Sequence, residues 1–130
     1  MERPYERPLI DKLGVKPGAR VAVYGVNEPD FRRVLRERTS DVSDGCAADG
    51  TDVMFLAADS PGDLAALKAL SAPLKRDGAV WVVSRKGRDA TIRDVDVIEA
   101  ARAADLVDNK VVSFSDTHTA LRLVIPRALR

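Results

Sequence analysis

The stretch Val21–Phe31, "VAVYGVNEPDF", decides the fold. Val21, Ala22 and Val23 form an unbroken apolar run, the pattern of a strand buried on both faces of a parallel sheet. Gly25 supplies a sharp turn. Asn27 then offers a side-chain oxygen to cap a helix, Pro29 presets φ for the first turn, and Asp30 complements the helix dipole. Phe31, Val34 and Leu35 make the inward stripe of that helix, which is expected to run to about Arg38. Arg32, Arg33 and Arg36 fall on the other side, as a solvated face. Strand, turn and helix in this order occur where nucleotide-binding α/β proteins keep their glycines. Here only Gly25 is present, and Asn27 and Pro29 stand where further glycines belong.

The same pattern recurs further along. Val53–Ala57 ("VMFLA") is a second buried strand, and Ser60 with Asp63 makes a capping box. Leu64, Leu67, Leu70 and Leu74 space a helix of about three turns, ended by Pro73. Ala79–Ser84 ("AVWVVS") is a third strand, with Trp81 in the core. A second Thr-x-x-Asp start, Thr91 to Asp94, opens a helix with Val95, Ile98, Ala101 and Ala104 inward. Lys110–Ser115 and Ala120–Ile125 close the chain as an antiparallel pair about the short turn "DTHT". Pro8–Leu13 makes a helical turn or two, stopped by Gly14. Thr39–Gly50 is a polar loop, at most adding a short edge strand around Val42.

Strands alternating with helices, then a hairpin, define a three-layer α/β/α Rossmann-like sandwich with a mostly parallel sheet and an antiparallel C-terminal strand. An irregular arm, residues 1–8, precedes one domain, residues 9–130. Val21, Val23, Val53, Phe55, Leu67, Val80, Val82, Ile98 and Leu123 are expected to be buried.

The chain carries 21 Lys+Arg against 20 Asp+Glu, a formal net charge of +1, so it lacks the basic excess of a general nucleic-acid coat. Cys46 is the only cysteine, which rules out an intramolecular disulfide and suits a reducing compartment. No apolar run approaches the ~20 residues of a membrane helix. The start, "MERPYERP", is charged and proline-broken, unlike a signal peptide. A cytoplasmic protein is expected.

"LIDKLGVKPGARVAVYG" resembles the entry to class I S-adenosylmethionine-dependent methyltransferases, and "TDVMFLAADSPGDLAALKALSAPLKRDGAVWVV" resembles that fold's later strand–helix–strand unit. The likeness covers most of residues 9–125 and implies five main strands in the spatial order 1-2-3-5-4, numbered along this chain. It also implies a gap. Two further strands belong between the first helix and Val53, where only about fifteen residues are left over. The whole chain is similar to a small bacterial family known as a domain of unknown function, through "VVSRKG" and the ending "DTHTALRLVIPR". His118 and Ala120 depart from that family's ending.

In the methyltransferases the first strand carries an acidic residue before a glycine-rich turn. Aligned on Gly25, the acidic position is Val23, and the later glycine positions are Asn27 and Pro29. The carboxylate that grips the cofactor ribose belongs to a strand this chain is expected to lack. The resemblance therefore implies a reduced methyltransferase-like sheet without S-adenosylmethionine binding, and no cofactor is expected.

Among catalytic candidates, a Cys46–His118 nucleophile–base pair is weak, because Cys46 sits in a loop of small and acidic residues with no nearby cation or helix start. One His, one Cys and scattered Asp make no metal site, and Asp41, Asp44 and Asp49 are read as solvated. Arg85, Lys86 and Arg88 follow the third strand, and ligands of open α/β sheets bind beyond strand C-termini. A small anion site is expected there from Gly25, Asn27, Ser60, Ser84, Arg85 and Lys86. The leading function is a non-catalytic domain that binds a partner protein or a small anionic ligand. One alternative is a reduced enzyme that holds an adenosyl or nucleotide ligand. Another is a nucleic-acid module using Arg32, Arg33, Arg36 and "RKGR". A homodimer is expected, since strand Arg20–Tyr24 would otherwise lie at or near an open sheet edge.

Overall fold

A computed structural model describes residues 8–130, so the arm expected over residues 1–8 lies, but for Pro8, outside the described residues. The strands are β1 (Val21–Tyr24), β2 (Val42–Asp44), β3 (Thr51–Ala57), β4 (Leu74–Arg85), β5 (Val107–Ser113) and β6 (His118–Val124). The helices are α1 (Leu9–Lys12), α2 (Pro29–Arg38), α3 (Pro61–Ala65), α4 (Leu67–Leu70) and α5 (Asp94–Ala103). The sheet order is β2-β1-β3-β4-β6-β5. Every neighbouring pair up to β4 is parallel, and β6 runs antiparallel to both β4 and β5. The five expected strands keep their order; β2 is an added sixth at the edge.

The apolar runs are explained by burial on both faces. Val53 and Phe55 of β3 join Val21, Val23, Trp81 and the α1–α2 side. Met54 and Leu56 join Val80, Val82, Leu123 and the α3–α5 side. Of the nine residues expected to be buried, eight are, while Ile98 is half-buried. Trp81 is fully buried, and its indole Nε1 donates to the Leu13 carbonyl at 2.9 Å.

Several local expectations need correction. The leucine-spaced helix breaks at Ala66 into α3 and α4, and Leu74 opens β4 instead of closing the helix. Val95 is 50% exposed, because α5 starts only at Asp94 and turns Val97 and Ala101 inward. Thr91 does not cap α5: its hydroxyl is held at the Asp59 carbonyl, and Arg93 occupies the cap position. β5 begins at Val107, ahead of the expected Lys110.

Residues 39–50, expected as a polar loop that at most adds a short edge strand around Val42, do add that strand. Thr39 is buried, and its Oγ1 donates to the Ala19 carbonyl at 2.6 Å, which pins the start of the loop beside β1. Val42, Ser43 and Asp44 then pair in parallel with Val21, Ala22 and Val23, and the Gly45 N–H donates to the Val23 carbonyl at 2.9 Å. Strand β1 is therefore covered on both sides by its own chain. The open edge that motivated a homodimer is filled by this loop. The outer edges are now β2, only three residues long, and β5, whose register shifts between Asp108 and Lys110. Short strands and bulges both discourage edge-to-edge pairing.

Candidate functional site

Because β6 runs against the other strands, the β5–β6 turn comes to the same sheet edge as the C-terminal ends of β1, β3 and β4. A cleft of about 480 Å³ opens there, within the usual range for small-molecule sites. Its floor is apolar, made by Ala57, Val83 and Phe114. Val26, Asn27 and Glu28 form one wall and Ser115–His118 the other. Gly25 sits between them at φ +78°, and a Cβ there would stand 3.4 Å from the Ala57 Cβ. Positive φ favours glycine at this turn.

Both walls are tied down. Ser115 Oγ accepts from the backbone N–H of Thr117 (3.3 Å) and of His118 (3.1 Å). Thr117 Oγ1 is 2.7 Å from His118 Nδ1, and the Thr117 carbonyl accepts from the Lys86 N–H at 3.0 Å. Beneath the cleft Phe114 packs on Phe31, with ring centroids 5.0 Å apart, and Phe31 packs edge-on to Phe55 at 4.9 Å.

The opposite wall is held by Arg32. Its Nε donates to the Val26 carbonyl at 2.7 Å, Nη1 lies 2.5 Å from Asp44 Oδ1, and Nη2 reaches Asn27 Oδ1 at 3.5 Å. The Arg32 side chain is 15% exposed, so it is not part of a solvated face. Asp44 is likewise ion-paired, and Asp41 pairs with Arg20 at 3.1 Å. Asn27 does not cap α2; Glu28 holds that position without a side-chain hydrogen bond.

The residues expected to form an anion site do not all meet. Gly25 and Asn27 line the cleft, whereas Ser60, Ser84, Arg85 and Lys86 do not. Ser60 caps α3 by accepting from the Asp63 N–H at 3.1 Å, while the Asp63 carboxylate accepts from the Asp59 N–H at 3.0 Å. Ser84 is buried. The Arg85 N–H donates to Asp59 Oδ1 at 3.0 Å, and its guanidinium, 55% exposed, lies 3.9 Å from Oδ2. Lys86 Nζ donates to Ser113 Oγ at 2.7 Å. Cys46 is exposed and does not share the cleft with His118. Among the described residues, no group of three or more His, Cys, Asp or Glu is placed to hold a metal.

Sequence reasoning left out Phe114–Thr117 and considered His118 only as a partner for Cys46. The signal was available: an antiparallel last strand returns its turn to the C-terminal edge of the parallel strands.

Sheet order and the turn after β1 define a methyltransferase-like α/β fold. The chain aligns with the magnesium protoporphyrin IX methyltransferase of Synechocystis PCC 6803 at TM-score 0.65 and 10% identity, covering 91% of this chain and 74% of that one. It aligns with a TehB-like S-adenosylmethionine-dependent methyltransferase of Corynebacterium glutamicum at TM-score 0.60 and 13% identity, over 91% and 85% of the two chains. Fibrillarin of Aeropyrum pernix, solved with natively bound S-adenosylmethionine, aligns at TM-score 0.57 and 14% identity, over 86% and 69%. No curated protein sequence matches the chain. The chain belongs to the DUF3052 family of proteins of unknown function, whose profile matches residues 10–127.

The cofactor implied by this fold does not fit these residues. Val23, at the acidic position, is 1% exposed and packs in the core. A strand does stand beside β1, contrary to the expectation that it is missing, and it ends on a carboxylate, Asp44. That carboxylate is already engaged by Arg32 and does not line the cleft. Among the described residues no helix is long and apolar enough to cross a membrane.

Proposed function

We propose that this chain is a non-catalytic, methyltransferase-like binding domain, whose ligand or partner segment seats in the cleft between Gly25–Glu28 and Phe114–His118. The observation that carries the reading is the Arg32 guanidinium. It joins the turn after β1 to Asp44 at the end of β2, so the carboxylate at that edge is neutralised from within. A half-buried arginine fork that satisfies a carbonyl and a carboxylate together is a fixed structural element, not a readily displaced surface charge. Beside it the chain keeps a preformed cleft with an apolar floor and polar walls, the usual make-up of a binding site. Among the described residues no carboxylate hydrogen-bonds His118: its ring Nδ1 meets the Thr117 hydroxyl at 2.7 Å, its backbone N–H donates to Ser115 Oγ, and no acid orients the imidazole as a base.

Amide chemical shifts recorded against a library of small fragments test this reading. Perturbations should cluster on Gly25, Asn27 and residues 114–118. Binders that cluster on another surface, with this group unmoved, would contradict it.

A further inference from the structure

We propose that the cleft selects a small organic cation, an amine whose ammonium group lies between Glu28 and Asp116 and whose apolar body rests on the floor that Ala57 makes with the edges of Val83 and Phe114. This rests on the reading of the cleft as the binding site, and it reverses the sign of the ligand expected from the sequence. Glu28 and Asp116 both line the cleft, from opposite walls, and among the described residues no Lys or Arg lines it. Among the described residues neither carboxylate makes an ion pair or a side-chain hydrogen bond. Of the nearby cations, Arg32 is engaged by the Val26 carbonyl and Asp44, and the Lys86 ammonium is held outside the cleft lining by its bond to Ser113 Oγ.

The N-terminus of α2 opens beside the cleft and contributes a partial positive charge. Glu28 at its cap and Asp30 in its first turn offset that charge. An anion entering here meets two unpaired carboxylates; an ammonium meets two acceptors. The apolar floor adds a demand for a hydrophobic body, so a bare inorganic cation satisfies only half of the site.

Three probes of one shape and different charge test the proposal: tryptamine, 3-ethylindole and indole-3-propionate, titrated at low salt and followed through the amides of Gly25, Phe114 and His118. Tryptamine should bind most tightly and indole-3-propionate least. Glu28→Gln and Asp116→Asn should each weaken tryptamine by roughly two- to fivefold while leaving 3-ethylindole unchanged, which also reports that the variants are folded. Added salt should narrow the gap between tryptamine and 3-ethylindole. Equal binding of all three, or tightest binding of the carboxylate, overturns the cation proposal and leaves the cleft as a binding site. If none of the three moves these amides, the cleft reading falls and the cation proposal with it.

Discussion

Replacing Trp81 by alanine should lower stability by about 3–5 kcal/mol, the usual range for removing a large aromatic side chain from a core. Trp81 is fully buried in the middle of β4, on the sheet face covered by α1 and α2. The truncation removes the largest side chain of that core and strands the Leu13 carbonyl, which accepts from the indole at 2.9 Å. Against a typical total stability of roughly 5–15 kcal/mol, the loss should move the thermal midpoint by ~10–20 °C. Trp81→Phe separates the two contributions. It keeps most of the volume but still leaves the carbonyl without its donor, an expected loss of about 1–3 kcal/mol. Circular dichroism melts check both, since the protein's only tryptophan is the one removed. A Trp81→Ala protein that melts with the wild type would show that this core is not organised around β4.

Arg32→Ala should cost about 1.5–3 kcal/mol, which is large for a residue that helical periodicity places on a solvated face. The Asp44 side chain is 69% exposed, so its attraction to Arg32 is screened and accounts for the smaller part. Most of the loss comes from the charge-assisted bond to the Val26 carbonyl and from packing of the buried stem. Arg32→Lys should restore less than half of it. An ammonium is a single point of charge, and it cannot span the carbonyl and the carboxylate as the guanidinium fork does. Urea midpoints give the energies. Hydrogen exchange should show the amides of Asn27 and Glu28 opening more readily in Arg32→Ala, with the β3–β4 ladder unaffected. A variant within about 0.5 kcal/mol of wild type, the ordinary scatter of surface substitutions, would mean that Arg32 does not hold this turn.

The strands β1, β3 and β4 were legible because double-sided burial writes itself into the sequence as continuous apolar runs. α2 was legible for a similar reason, with Phe31 and Leu35 on one face. β2 was legible only as the most that a polar loop would add around Val42, because nothing local makes Val42-Ser43-Asp44 a strand. It is three residues long and partly exposed, and it exists because β1 has an open ladder and Thr39 delivers the chain to it. Arg32 was misread for the same reason, since its partner Asp44 is positioned only once β2 has paired. Arg85 reads in sequence as a charge without a partner, and the fold brings the Asp59 carboxylate beside it. Asp59 and Arg85 are 26 residues apart, and adjacent parallel strands bring them together. The hairpin Phe114–His118 was readable as a turn. Its role needed the sheet direction, which places a turn that looks peripheral in sequence against the glycine turn after β1.

The central claim is that a methyltransferase-like sheet persists here without the chemistry to hold the methyltransferase cofactor. Titration calorimetry of S-adenosylmethionine into the wild-type protein tests it directly. Val23 offers no carboxylate, Pro29 stands where a glycine would let the backbone come close, and Asp44 is held by Arg32. The account predicts no heat beyond dilution up to millimolar cofactor; a saturable isotherm with a micromolar Kd would contradict it.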